Sequence, residues 1–103
     1  MSKFGLFGKF TVKEGERKTL VSILLEAAES MENLDECEMY HVSICEDEPN
    51  SVFVYEVWSS KHAHRESLTL ESTQLLIKQA RPIIMGMERI ATLKPEGGKG
   101  ISS

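Results

Sequence analysis

Phe4, Leu6, Gly8, Phe10 and Val12 alternate with Gly5, Phe7, Lys9 and Thr11, and this period of two predicts a first strand. Lys13-Glu14-Gly15-Glu16 breaks the alternation. Leu20, Ile23, Leu24, Ala27 and Met31 then recur at helical spacing, with Glu26, Glu29 and Glu32 on the wetter sides, predicting a helix from about Glu14 to Glu32. After a polar turn at 33–36, residues 37–45 alternate again, Tyr40, Val42 and Ile44 to one face and Met39, His41 and Ser43 to the other. Glu46-Asp47-Glu48-Pro49-Asn50-Ser51 is a turn cluster that leads into Val52–Trp58, a run rich in β-branched and aromatic residues. These two strands should form a hairpin.

Ser59 or Ser60 can cap a short helix carrying His62, His64 and Glu66. Thr69-Leu70-Glu71-Ser72 is a second capping signal, for a helix with Thr73, Leu76, Ile77, Ala80 and Ile84 on one face. Pro82 ends or kinks that helix, since it lacks a backbone donor and disfavours helical geometry at Arg81. Gly86 closes the helical region, Glu88–Leu93 reads as the fourth strand, and a loose tail over 96–103 follows a single domain over 1–95. The order β-α-β-β-α-β predicts an α+β, ferredoxin-like fold, a four-stranded antiparallel sheet with helices on one face. In the third strand Phe53, Tyr55 and Val57 point one way and Val52, Val54, Glu56 and Trp58 the other, so neither face is predominantly polar. Packing of two sheets in a homodimer is the simplest cover for the second face.

Composition narrows the possible partners. The chain has 103 residues, 27% charged and 41% hydrophobic, which suits one compact domain with room for a narrow pocket. A net charge of −4 argues against a nucleic-acid backbone or an anionic membrane, both of which reward clustered Lys and Arg. No apolar run approaches the roughly 20 residues that span a bilayer, and the N-terminal stretch lacks the pattern of a secretory signal, so the expected compartment is the cytoplasm. Cys37 and Cys45 would sit about 26 Å apart along one extended strand, too far for a disulfide, and read as two half-buried thiols. His62 and His64 are about 200° apart around a helix and cannot bind one metal from the same face.

Four residues carry the candidate chemistry. Trp58, at the end of the third strand, can close one wall of a cavity between sheet and helices, or simply fill the core. His64 can make a polar contact in a pocket under Trp58 or lie on the surface, while His62 is solvated. Glu56 shares a strand face with Trp58; it either enters the interior, needing a partner such as Arg65, Lys78 or a backbone donor, or forms an edge or dimer salt bridge. Tyr40 and His41 lie on opposite faces, and Tyr40, with an aromatic body and a hydrogen-bonding tip, suits an aromatic ligand as well as it suits core packing. There is no Ser/His/Asp order, acid pair, flavin or nicotinamide fingerprint, and Gly97-Gly98-Lys99-Gly100 lacks phosphate-loop spacing.

Tyr55-Glu56-Val57-Trp58-Ser59-Ser60, His62-Ala63-His64-Arg65-Glu66-Ser67-Leu68, Ala80-Arg81-Pro82-Ile83-Ile84 and Gly97-Gly98-Lys99-Gly100 together resemble the antibiotic biosynthesis monooxygenase domain, especially its small quinol-monooxygenase-like members. The resemblance implies a dimeric α+β barrel with a pocket in each subunit between sheet and helices. It further implies oxidation of an aromatic or quinol substrate by dioxygen with no cofactor and no metal, the deprotonated substrate supplying the electrons. On that picture Trp58 and His64 are catalytic, and Trp58, Tyr40, His64 and Glu56 bind substrate. Enzymatic members often carry an asparagine four residues before the tryptophan, where this chain has Val54. Haem-degrading relatives carry a histidine nine or ten residues after it, where this chain has Ser67 and Leu68, which disfavours haem degradation. The alternative is a non-catalytic dimer, binding a hydrophobic small molecule or serving a stress response through the same pocket.

Overall fold

The structure, a computed structural model, describes residues 2–101. Its elements are β1 (Phe4–Val12), α1 (Arg17–Ser30), β2 (Cys37–Ser43), β3 (Ser51–Trp58), α2 (Lys61–Ser67), α3 (Glu71–Ala80) and β4 (Ile84–Leu93). The sheet is antiparallel throughout, in the order β2-β3-β1-β4, with β2 and β3 paired as the expected hairpin. This is the ferredoxin-like α+β arrangement that the alternating and helical periods predict.

Several boundaries move, each for a local reason. The α1 helix starts at Arg17 rather than Glu14, because Gly15 takes a left-handed φ of 82° and Glu16 N–H closes a turn onto Lys13 C=O at 3.0 Å. Strand β2 stops at Ser43 rather than Cys45, whose carbonyl instead accepts from Arg17 Nη1 at 3.3 Å and from Glu48 N–H at 3.1 Å. Ser60 caps α2, its Oγ accepting from Ala63 N–H at 3.0 Å. Thr69 does not cap α3; its hydroxyl donates back to Glu66 C=O at 2.7 Å, and α3 begins with no side-chain cap. Pro82 ends α3, and the chain enters β4 at Ile84, paired with Val12, so Ile84 leaves the helix face and Gly86 lies inside a strand.

Two buried clusters hold the layers together. One joins Val12, Val52 and Val54 of the sheet to Leu20 and Leu24 of α1 and Ala80 of α3. The other gathers Ala27, Met31, Ala63 and Leu76 around Trp58. Between them the helices do not meet the sheet completely, and the gap is a cavity.

The far side of the sheet carries Phe7, Phe53 and Tyr55, half-buried, with Phe7 stacked on Phe53 at 6.1 Å and edge-on to Tyr55 at 6.5 Å. Val57, on the same face, is fully buried. The chain after β4 comes close on both sides of it. A Cβ at Gly5 would lie 3.3 Å from Pro95 Cγ, and one at Gly100 would lie 3.6 Å from Met39 Cε. Gly5 and Met39 flank Val57 in the sheet, so the tail crosses from β4 over β1 and β3 to β2. Of the segment expected to be loose, residues 96–100 are exposed and Gly100 lies beside the Met39 side chain; residues 102–103 fall outside the described residues.

Candidate functional site

The site grows from the inward face of β3. Glu56 lies opposite Leu6 of β1 and Tyr40 of β2, and alternation turns it to the helix side together with Val54 and Trp58. Trp58 is fully buried, and its Nε1–H donates to Glu56 Oε1 at 2.9 Å. The partner that Glu56 needs inside the protein is therefore the tryptophan two residues along its own strand, neither Arg65 nor Lys78.

The α2 helix brings in His64. Its ring packs 5.6 Å from Phe4 and 5.6 Å, edge-on, from Trp58, with Nε2 3.8 Å from Glu56 Oε1. That separation is too long for a hydrogen bond but leaves both groups facing the same space. Ser67 Oγ donates to His64 C=O at 2.6 Å and ties down the end of this short helix. His62, one helical face away, is exposed and pairs with Glu66 at 2.9 Å.

Electrostatics disfavour charge on the histidine and on the carboxyl. Burial raises the pKa of Glu56, opposed by the Trp58 hydrogen bond and by the Arg89 charge. Burial lowers that of His64, and Arg89 adds to the effect. Tyr40 is pushed well above the usual phenol range, first by burial and then by Glu56, so its hydroxyl stays protonated. Burial also pushes the Cys37 thiol up to about 11, which leaves it a poor nucleophile at neutral pH.

Tyr40, Glu56 and His64, but not Cys37, border a cavity of about 530 Å³ between sheet and helices. Leu6, Gly8 and Phe10 form part of its floor, Leu24 and Ala27 of α1 and Leu76 and Ala80 of α3 part of its roof; Tyr40, Glu56, His64 and Arg89 are among its polar positions, with Ser67, Thr73, Arg81 and Glu88 also on its border. Trp58 is not on the wall. It stands behind Glu56, so in this conformation it presents no face on which a ligand could stack; it acts on the cavity through the carboxyl that it holds. Among the described residues, no three His, Cys, Asp or Glu side chains are grouped to hold a metal ion.

Arg89 and Gly8 are the site residues that the sequence pattern does not reveal. Gly8 pairs with Arg89 while Phe7 pairs with Ala91, so Ile90 is an extra residue, a bulge in β4. Counting back from Thr92, which faces inward beside Leu6, strict alternation would turn Ile90 and Glu88 inward and Arg89 outward. The bulge reverses this: opposite Gly8, Arg89 turns to the cavity, and opposite Lys9, Glu88 turns to the far face, although it still borders the cavity. Nothing in Arg89-Ile90-Ala91 marks the bulge beforehand.

The family model for antibiotic biosynthesis monooxygenases matches residues 4–77, the stretch that contains the β3 end, Trp58 and His64. The chain belongs to this family. A Chloroflexus aurantiacus protein provisionally named an antibiotic biosynthesis monooxygenase is similar at 36% identity, covering 97% of this chain and 99% of its own, with a TM-score of 0.87. A Deinococcus radiodurans protein of the same provisional name shares the fold at 19% identity, over 97% of each chain and with a TM-score of 0.75. A mutant of SnoaB, a cofactor-independent oxygenase from Streptomyces nogalater, does so at 16% identity, covering 94% of this chain and 96% of its own, with a TM-score of 0.78. No curated protein matches the chain. No helix among the described residues is long and apolar enough to cross a membrane.

Proposed function

We propose that this monooxygenase-family protein is a cytoplasmic homodimer that oxidises a small aromatic or quinol substrate with dioxygen, without metal or cofactor. The observation that carries the reading is the mostly apolar cavity in which a half-buried, neutral-leaning histidine faces a tryptophan-held carboxyl. A substrate hydroxyl placed about 2.8 Å from both His64 Nε2 and Glu56 Oε1 would complete a triangle on their 3.8 Å separation. His64 accepts the hydroxyl proton, and Arg89 offers positive charge to the phenolate that forms. Electrons then pass from the phenolate to dioxygen. A ring carbon gains one oxygen atom, the substrate loses two hydrogens, and the second oxygen atom leaves as water. Trp58 acts by holding Glu56, and the Tyr40 hydroxyl, opposite Glu56, orients the substrate.

The test is oxygen uptake by purified, metal-stripped protein against reduced quinols and hydroxylated aromatics, with isotopically labelled dioxygen. One labelled atom in the product and one in water, without hydrogen peroxide, is the expected result. Peroxide in place of labelled product would show an oxidase and end the proposal. Val54 favours a second reading, because a buried valine occupies the wall position beside Glu56 where a polar orienter would sit. On that reading the protein only binds its ligand, and quinols change its melting temperature without consuming oxygen.

The homodimer rests on the half-buried Phe7, Phe53 and Tyr55 of the far sheet face, an apolar surface that a second copy would cover. Light scattering at micromolar concentration should give twice the chain mass of 11.6 kDa. A single-chain mass for the wild-type protein would overturn it.

A further inference from the structure

Glycine in the interior of a strand weakens it, so Gly8 calls for a reason. The backbone supplies none: Gly8 is not among the positive-φ glycines, and the adjoining bulge therefore does not need a left-handed residue there. Crowding supplies none either. A Cβ at Gly8 would meet only Glu88 C=O, at 3.4 Å, an ordinary contact, with no other atom of its surroundings within 4 Å. Any side chain at Gly8 would point the same way as Leu6 and Phe10, which line the floor of the cavity. Gly8 also lies between Val54 of β3 and Arg89 of β4, in the middle of the sheet floor. The missing side chain thus enlarges the cavity without serving the fold.

We infer that Gly8 is the residue that sets how many fused rings the cavity accepts, with the ligand lying flat over the bare β1 backbone and its hydroxyl directed at His64 and Glu56. The inference rests on the proposed function for the kind of ligand, but it concerns binding and stands or falls apart from turnover. Leu6 and Phe10 hold the ring edges on either side along the strand, and α3 closes over the upper face. A one-ring ligand reaches His64 and Glu56 without covering Gly8. Ligands of two or three fused rings extend over it.

The experiment compares Gly8→Ala and Gly8→Val with wild type. Binding of hydroquinone, menadiol and anthrahydroquinone is followed anaerobically by calorimetry, and oxygen uptake is followed separately. Expected is a graded change in selectivity: Gly8→Val weakens the three-ring quinol at least about tenfold more than the one-ring quinol, and Gly8→Ala shifts the same ratio less. Gly8→Ala guards against a folding defect in the valine variant, since the space at this position already admits a Cβ. Equal weakening of all three ligands, or none, in a folded Gly8→Ala protein would overturn the inference. Ring-size selectivity in binding with no oxygen uptake by wild type would uphold it while removing the monooxygenase reading.

Discussion

Trp58→Ala is expected to remove about 3–5 kcal/mol of folding stability, because the ring is fully buried at the centre of the second core cluster and its loss leaves a large void. Small domains have about 5–15 kcal/mol in total, so this one change takes about a fifth of it or more. Trp58→Phe separates the two roles of the side chain. It keeps most of the packing but deletes the Nε1–H that Glu56 Oε1 accepts, leaving a buried carboxyl oxygen without its donor, at a cost of about 1–3 kcal/mol. Chemical denaturation of both variants with an unchanged slope would measure the two costs. The hydrogen bond holds the Glu56 pKa down against burial, so Trp58→Phe should move it further up. Glu56 titration by NMR checks this directly, and an unaltered titration in a folded Trp58→Phe protein would refute the positioning role. Turnover of the phenylalanine variant should fall more than its modest destabilisation explains.

The sheet was largely legible because the sequence carries its signals at short range. The period of two in Phe4–Val12 and the β-branched run before Trp58 name β1 and β3, and both strands keep the faces that simple alternation assigns. What escaped depends on contacts between distant segments. Thr69 looks like a helix cap by residue type, yet a bond back to Glu66 satisfies it first. Ile84 fits the apolar face of α3 by spacing, but Pro82 stops the helix and pairing with Val12 takes Ile84 into β4. Arg89 reaches the cavity only because one bulge changes the parity of β4, and parity is a property of the pairing rather than of either strand alone. The Glu56 partner escapes the sequence for a different reason. A buried carboxyl invites a search for a basic residue, while the donor here is an indole on the same strand face.

His64→Ala is expected to slow turnover by about 100- to 10,000-fold, the usual contribution of a positioned general base. The accompanying pH dependence follows from the sign of its shift. Burial and Arg89 lower the His64 pKa below its ordinary 6.5, so the proton-accepting imidazole predominates at neutral pH and above. Wild-type kcat/KM should be flat there and fall as pH drops through a value below 6.5. Stability must show the same group. A depressed folded pKa gives stability that is present above the unfolded value and lost as pH falls through the folded one, because the unfolded chain takes up the proton first. Wild type should therefore lose stability relative to His64→Ala on acidification, while the alanine variant loses the acid limb of its rate profile. Glu56 has the opposite shift: its raised pKa confers stability below the unfolded carboxyl value that is lost as pH rises through the folded one. A limb that survives in His64→Ala and vanishes in Glu56→Gln would transfer the base to the carboxylate, with Trp58 as its donor. A limb that vanishes in His64→Ala and survives in Glu56→Gln keeps the proton on the imidazole, between Phe4 and Trp58, where the fold has already made it neutral.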